Sequence, residues 1–225
     1  MKSFDALIAI NKEEESILRK EFPGKKILYC PMGVKFQQST ITEEKSSPGS
    51  YTIAYYGGLG NPRNVAAAMV VYGALRKSMM SNKNLHYKII GSNPPEQLRD
   101  LANKNQSVTI TGYVDDLAGV LRDVVLAVIP FEGKYGFRSR IIELMFYGVP
   151  VLTTQDAIWG MGFTDKKNIF IYNKDQDLET IIMQLLHNAQ ERDDVAKNAK
   201  KKVDDEFTFH ATYDSMAREL KRLTV

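Results

Sequence analysis

Two charged side chains in the second half of the chain have the types and the spacing needed to bind a nucleotide. Arg140 and Glu143 lie three residues apart, in a segment whose apolar residues recur at helical spacing. At ~1.5 Å of rise per residue, the two charges would lie roughly 4.5 Å apart along the helix axis, on the face opposite the apolar one. This offset suits a guanidinium on a phosphate and a carboxylate that accepts from the hydroxyls of a ribose. The alternative is an ion pair within the helix.

A glycine-rich loop earlier in the chain offers a second candidate contact with phosphate. Its residues of interest are Gly57, Gly58, Gly60, Asn61 and Arg63. The glycines let the backbone approach a ligand closely, and Asn61 followed by Pro62 predicts the start of a helix. A helix N-terminus with Arg63 in its first turn is a candidate diphosphate site. The dinucleotide fingerprint G-x-G-x-x-G would need a glycine in place of Arg63, so the loop is not that motif, and a turn without a ligand is the alternative.

Three further loops follow predicted strands and repeat this arrangement. Their candidate ligand-binding residues are Gly91 in the first, Tyr113, Val114 and Asp115 in the second, and Gly136, Phe137 and Arg138 in the third. Asp115 and Asp116 could serve as an acid and base pair. We favour the simpler interpretation, in which one of them caps the following helix and the loop backbone faces the ligand.

Other polar residues indicate no metal or nucleophile chemistry. Asp175 and Asp177 form a D-x-D pattern, but they stand just before a predicted helix, where a capping turn is expected. The histidines His86, His187 and His210 are isolated from one another, so we predict no metal site. The single cysteine excludes an internal disulfide.

The elements that position these loops alternate between short strands and amphipathic helices. This alternation predicts an α/β fold, a Rossmann-like parallel sheet with helices on both faces, in which strand-to-helix loops meet at one edge. The strands of this sheet are predicted at Tyr51–Tyr56, Leu85–Ile90, Ser107–Thr111, Val124–Ile129, Val149–Thr153 and Ile169–Tyr172. The helices are predicted at Pro62–Met80, Pro94–Asn103, Asp116–Arg122, Ser139–Tyr147, Leu178–Ala189 and Asp193–Glu206, with a last helix from His210.

The first fifty residues are predicted to be organised separately. A strand, a helix and a strand are expected at Asp5–Ile10, Lys12–Phe22 and Ile27–Cys30. A polar stretch with Pro48 and Gly49 follows and predicts a linker. We therefore divide the chain into residues 1–34, a linker at 35–50, and a sheet domain at 51–225.

Composition limits the partners and the location that we expect. The net charge is +3, from 30 basic and 27 acidic side chains, which is too small to indicate a nucleic-acid partner. The apolar runs Ala6–Ile10 and Val65–Leu75 are too short or too interrupted for a signal peptide or a membrane span. The expected location is cytoplasmic, with a peripheral association at a membrane left open.

In their order along the chain, these motifs resemble the C-terminal, donor-binding domain of the retaining group 1 glycosyltransferases of the GT-B fold. The most specific part runs from Glu143 to Gly148-Val149-Pro150-Val151 and is similar to the family's "lEAmA-x-G-x-PVV". Pro31-Met32-Gly33-Val34 is similar to the family's "iPNGV", with Met32 in place of the asparagine. The resemblance implies that residues 1–34 are the tail of the family's N-terminal, acceptor-side domain.

The resemblance also implies roles for individual residues. Glu143 would bind the donor ribose, and Arg63 and Arg140 would neutralise the diphosphate leaving group, so these three are the catalytic candidates. Backbone groups at Gly136 and Phe137 would contact phosphate or sugar, and the loop of Tyr113–Asp115 would lie against the base. The family's usual Glu-x7-Glu is broken, because Tyr135 stands where its first glutamate would be and Glu132 comes three residues too early. Arg138, Arg140 and Glu143 fit instead a variant that reads "G-x-R-x-K-x-x-E".

The expected function is therefore transfer of a sugar from a nucleoside-diphosphate sugar to a carbohydrate or lipid-linked acceptor, in glycan or polysaccharide biosynthesis, without a metal or cofactor. We expect this chain to bind the donor but to need the missing N-terminal domain for transfer. We also expect it either to self-associate or to fold its N-terminal segment back onto itself. The alternatives are a nucleotide-sugar epimerase of the same architecture and a non-catalytic nucleotide-sugar-binding module.

Overall fold

The computed structural model describes residues 4–35, 49–173 and 177–222. The strands are β1 (Ala6–Ala9), β2 (Lys26–Tyr29), β3 (Tyr51–Tyr56), β4 (Leu85–Ile90), β5 (Val108–Gly112), β6 (Val124–Ile129), β7 (Val151–Thr154) and β8 (Phe170–Tyr172). The helices are α1 (Lys12–Glu21), α2 (Pro62–Ser81), α3 (Glu96–Lys104), α4 (Leu117–Leu121), α5 (Ser139–Phe146), α6 (Leu178–His187), α7 (Ala189–Glu206) and α8 (Phe209–Lys221). A short 3₁₀ helix at Gln155–Ile158 follows β7.

Six of the strands form one parallel sheet in the order β5-β4-β3-β6-β7-β8. The chain moves outward from β3 in one direction and from β6 in the other, so the order reverses between these two strands. Right-handed crossovers then put α2 and α5 on opposite faces of the sheet. The predicted α/β fold, a Rossmann-like sheet with helices on both faces, is confirmed. In such sheets the crevice between the diverging strands, at their carboxyl ends, is where ligands bind.

The core lies between this sheet and its helices. The central strands are buried on both faces, which is why they appear in the sequence as nearly continuous apolar runs. Helix α2 contributes Ala68, Val71, Leu75 and Met79, whose spacing of three or four residues makes one apolar stripe. The buried Tyr87 on β4 donates its hydroxyl hydrogen to the Ala68 carbonyl at 2.9 Å and so ties α2 to the sheet.

Three predicted element starts differ from the observed ones by two to four residues. Strand β7 begins at Val151 rather than Val149, because Gly148 turns the chain with φ +73° and the Val149 N–H donates back to Leu144. Helix α3 begins at Glu96 because Pro95 is its extended N-cap. Helix α7 begins at Ala189 rather than Asp193, because Asn188 caps it by accepting from the Glu191 N–H.

The N-terminal segment forms its own two-stranded parallel sheet, in which β1 pairs with β2 and α1 connects them. This segment packs on the last helix through a small apolar cluster of Leu28, Cys30 and Met216. Val34 adds backbone hydrogen bonds to Phe207 at 2.9 Å and from Phe209 at 3.1 Å. Most of the predicted linker lies outside the described residues, so the division into domains stays a prediction.

None of the described helices is both long enough and apolar enough to span a membrane.

Candidate functional site

The loops that follow the central strands meet at the carboxyl edge of the sheet. The loop after β3 is bound to the loop after β4 by backbone hydrogen bonds from Gly57 to Ile90 at 2.9 Å and from Leu59 to Ser92 at 2.8 Å. Gly91 lies so close to this loop that a Cβ on it would overlap the Gly57 carbonyl oxygen. Two of the predicted ligand-binding loops are therefore packed together beside the crevice.

Arg140 crosses the end of β3 and links the helices on the two faces of the sheet. Its Nη1 and Nη2 donate to the Asn64 side-chain oxygen at 3.1 and 3.0 Å. Nη1 also lies 3.1 Å from the Tyr55 hydroxyl and 3.3 Å from the Tyr56 carbonyl oxygen. The guanidinium occupies the space beside Gly57, where an added Cβ would overlap Nη1. An alanine at position 57 would therefore have to displace the guanidinium from this place.

Glu143 lies one helical turn further along α5 and is also bound to β3. The Tyr56 hydroxyl donates to its Oε2 at 2.7 Å. Burial raises the pKa of Tyr56 well above its ordinary value, and the neighbouring Glu143 carboxylate raises it further. The phenol therefore keeps its proton and stays a donor. Arg140 and Glu143 thus bind residues around the end of β3. Among the described residues they do not form the ion pair within the helix that was the alternative.

Arg138 is buried in the loop after β6, with 9% of its surface exposed. Its guanidinium carbon lies 3.4 Å from the centroid of the Phe131 ring and 5.1 Å from that of Tyr135. Nε and Nη2 have no hydrogen-bond partner among the described residues. Burial, together with the charge of Arg140, lowers its pKa below the ordinary arginine value. A buried guanidinium with unused donors is the feature that an anionic ligand would satisfy.

Arg63 lies in the first turn of α2, at the outer rim of the crevice. Its backbone N–H donates to the Asn61 side-chain oxygen at 2.9 Å, which confirms Asn61 as the predicted cap of α2. Its exposed guanidinium contacts the Tyr135 hydroxyl of the loop after β6. Because its only described partner is a neutral phenol, an anion could bind beside it.

The loop after β6 closes one side of an open cleft of about 640 Å³. Gly133 and Gly136 allow its path with left-handed φ values of +103° and +69°. The Gly133 N–H donates to Asp156 at 2.9 Å. The cleft is lined by Ala66 and Val70 of α2 together with Phe131, Glu132 and Tyr135. The Phe137 ring packs on that of Phe207, with the two ring centroids 5.8 Å apart.

A second cleft of about 610 Å³ lies at the carboxyl ends of β4 and β5. Ser92, Asn93, Gly112 and Tyr113 are among its lining residues, and the Tyr113 side chain is 75% exposed. The neighbouring Asp116 accepts from the Gly119 N–H at 2.9 Å and caps α4. The capping interpretation of the two aspartates is therefore confirmed for Asp116.

The remaining candidates lie away from the crevice. Asp177 accepts from the Glu179 N–H at 3.1 Å and from the Thr180 hydroxyl at 2.7 Å, as expected of a cap of α6. Its partner in the D-x-D pattern, Asp175, lies outside the described residues. Within the described ranges, no three His, Cys, Asp or Glu side chains are grouped as a metal site would need.

Sequence reasoning did not identify the partners that hold the charged groups. Tyr55, Tyr56 and Asn64 each bind Arg140 or Glu143, and Tyr135 contacts Arg63. One signal was available, since β3 ends in two tyrosines where an entirely buried strand would end in apolar residues. The predicted ligand contacts themselves stay predictions.

Comparison with known proteins identifies a family and a fold. The model of the family described as glycosyl transferases group 1 matches residues 50–188. No curated protein sequence matches the chain. The fold is similar to that of a sucrose-phosphate synthase from Thermosynechococcus elongatus, with a TM-score of 0.74, 17% identity and coverage of 98% of this chain and 58% of that one.

Two further solved structures give the same result. A glycosyltransferase from Rickettsia africae has a TM-score of 0.76 and 12% identity, and the alignment covers 98% of this chain and 64% of that one. HepE from Anabaena, solved in complex with UDP, has a TM-score of 0.72 and 15% identity, with coverage of 97% and 64%. At such identities the likeness shows the fold alone, and the chain spans 58–64% of the length of these three proteins.

Proposed function

The chain belongs to the group 1 glycosyltransferases, and on that premise we propose that it is the donor-binding part of an enzyme that transfers a sugar from a nucleoside-diphosphate sugar. The observation that carries the proposal is the grouping of Glu143, Arg140 and Arg138 around the crevice where the strand order reverses, with Nε and Nη2 of Arg138 lacking a hydrogen-bond partner among the described residues. A carboxylate and several guanidiniums in one crevice match the ribose and the diphosphate of a single nucleotide.

Glu143 is the proposed ribose ligand. It is partly exposed, and the described hydrogen bond uses one of its two oxygens. An ionised carboxylate is only an acceptor, so the other oxygen suits the hydroxyls of a ribose. A hydrogen bond of this charge-assisted kind contributes about 1.5–3 kcal/mol.

The diphosphate is proposed to bind between Arg138 and Arg63. The diphosphate would supply acceptors for Nε and Nη2 of Arg138, which have none among the described residues, and Arg63 contributes a second positive charge at the N-terminus of α2. Negative charge develops on the diphosphate as the bond to the sugar breaks, and donors already fixed in place stabilise it. In this proposal transfer proceeds without a metal or a resident cofactor.

The base is proposed to lie against Tyr113, Val114 and Asp115, beside the second cleft. The UDP in the Anabaena HepE structure supports a nucleoside diphosphate as the ligand. The sugar would then extend toward the first cleft, whose lining includes Glu132.

The acceptor is proposed to be a carbohydrate or a lipid-linked sugar, bound by a second, N-terminal domain. This chain spans 58% and 64% of the length of two solved proteins of the same fold, which supports a site completed by further residues. The water-excluding cleft that glycosyl transfer needs would form between the two domains.

A thermal-shift panel tests the proposed function. UDP, GDP, ADP and CDP are compared with their nucleosides and with pyrophosphate, all in EDTA. At 100 times its dissociation constant, the preferred diphosphate should stabilise the chain by about 2.7 kcal/mol, which corresponds to a rise in Tm of roughly 5–10 °C. Its nucleoside and pyrophosphate should each have a smaller effect. A panel in which no nucleoside diphosphate raises the Tm would contradict the proposal, and a rise that requires added magnesium would contradict metal-free binding.

A further inference from the structure

The carboxyl end of β3 carries two adjacent tyrosines that bind the two charged residues of α5. Neighbouring residues of a strand point to opposite faces of the sheet. The Tyr55 ring is fully buried and its hydroxyl meets Arg140, whereas Tyr56 is partly exposed and its hydroxyl donates to Glu143. The proposed function gives a role to Glu143, but it leaves the tyrosines without one.

Tyr56 contacts both charged residues at once. Its carbonyl oxygen lies 3.3 Å from Nη1 of Arg140, and its hydroxyl lies 2.7 Å from Oε2 of Glu143. Side chains three residues apart on a helix are close enough to pair, and opposite charges favour such a pair. A glutamate paired with Arg140 would be drawn away from a bound ribose. The phenol holds the carboxylate in a different direction.

We propose that Tyr56 is a positioning residue that fixes one oxygen of Glu143, so that the other oxygen faces the ribose and selects ribonucleotides over deoxyribonucleotides. The inference rests on the proposed function, because it requires that Glu143 bind the ribose. The hydroxyl stays protonated over the whole working pH range, since burial and the adjacent carboxylate raise the pKa of Tyr56. The bond is therefore available whenever Glu143 is ionised.

The test compares UDP with 2′-deoxy-UDP, and GDP with 2′-deoxy-GDP, in calorimetric titrations of the full chain. Wild type should prefer the ribonucleotide by about tenfold or more, the equivalent of one charge-assisted hydrogen bond. In Tyr56→Phe the preference should fall severalfold toward one, while the affinity for the deoxyribonucleotide stays within about twofold. Tyr72→Phe, which removes a hydroxyl from the partly buried ring on α2, serves as the matched control and should keep the wild-type ratio.

A loss of packing would weaken both nucleotides equally, so the ratio separates positioning from a merely structural role. A double-mutant cycle adds a second measurement: in a Glu143→Gln background, Tyr56→Phe should no longer change the ratio. If wild type discriminates and Tyr56→Phe keeps that discrimination, the inference is overturned while the proposed function stands. If wild type itself does not discriminate, the ribose contact of Glu143 fails and the inference fails with it.

Discussion

At the scale of single residues, the three arginines around the crevice are not equivalent. Arg140 donates to three neutral partners, Asn64, Tyr55 and Tyr56, so it acts as a link between α5 and α2. Arg138 is buried, and its Nε and Nη2 have no hydrogen-bond partner in the part of the chain that the structure describes. A buried donor without a partner costs free energy. A bound diphosphate would remove that cost. We therefore expect Arg138, more than Arg140, to determine the affinity for the diphosphate.

Replacing Arg138 by glutamine should separate these roles. Arg138→Gln should weaken UDP binding by about 1.5–3 kcal/mol, because the charge is lost. It should leave uridine binding nearly unchanged and should not lower the Tm of the free chain. Arg140→Gln should instead destabilise the free chain by about 1–3 kcal/mol, because the polar groups of Asn64 and Tyr55 lose their partner.

Calorimetry with UDP and uridine, and melting curves of both variants, provide the measurements. Added salt should weaken UDP much more than uridine in wild type. Equal losses for UDP and uridine in Arg138→Gln would contradict the assignment.

At this scale, the sequence predicts which charged residues lie near the carboxyl edge of the sheet, because the alternation of strands and helices places the loops there. It does not predict their partners. Asn64 and Arg140 are far apart in the sequence, and their contact depends on how α2 and α5 lie across the end of β3. The buried position of Arg138 is likewise a result of the loop's path around Phe131.

At the scale of elements, the site depends on how closely the loop after β3 can approach α5. Gly57 has no side chain, and the Arg140 guanidinium lies in the space that a Cβ would take. Gly58, the next residue, has nothing within 4 Å of an added Cβ and has no left-handed φ. The two glycines are adjacent in the sequence but face different constraints.

A pair of alanine substitutions tests this difference. Gly57→Ala should displace Arg140 and destabilise the chain by about 1–3 kcal/mol, as other overpacked positions do. For a chain of this size each kcal/mol lowers the Tm by roughly 2–4 °C. Gly58→Ala should stay within about 0.5 kcal/mol of wild type. Scanning calorimetry of the two variants gives the result, and equal melting temperatures would show that Arg140 does not need the space beside Gly57.

The elements themselves were largely predictable, since buried parallel strands read as apolar runs and helix starts carry caps such as Asn61. The start of α7 was not, because its first turn lacks an apolar periodicity. That turn is stabilised by a contact with the preceding helix. The buried Arg192 of α7 donates to the carbonyl oxygen of Leu186, near the end of α6, at 2.8 Å. A contact of this kind leaves no pattern in the sequence.

At the scale of the whole molecule, the N-terminal segment is held by the end of the chain. Leu28 and Cys30 pack on Met216, and the Lys12 N–H donates to the Gly160 carbonyl at 2.9 Å. We expected this segment either to self-associate or to fold back onto its own chain, and in the structure it folds back. Phe4, Ile8, Ile17 and Met32 remain exposed on it, so self-association stays a prediction.

The isolated chain should bind a nucleotide sugar without transferring it. The proposed donor crevice is built from residues within the chain, whereas the proposed acceptor site and water-excluding cleft would need a second domain. The assay incubates the chain with radiolabelled UDP-glucose or UDP-N-acetylglucosamine and a mixed set of sugar acceptors, after binding has been verified by calorimetry. Labelled product formed faster than in a protein-free control would contradict the claim that the active site is divided.

The most direct test of the account is the affinity of Glu143→Gln for the nucleoside diphosphate that binds wild type best, measured by isothermal titration calorimetry. The substitution keeps the shape of the side chain and removes its charge, and Glu13→Gln on the exposed face of α1 is the matched control. The account predicts a loss of about 1.5–3 kcal/mol, or roughly 10- to 150-fold in Kd, with no loss in the control. Equal affinities for wild type and Glu143→Gln, with both proteins folded, would contradict it.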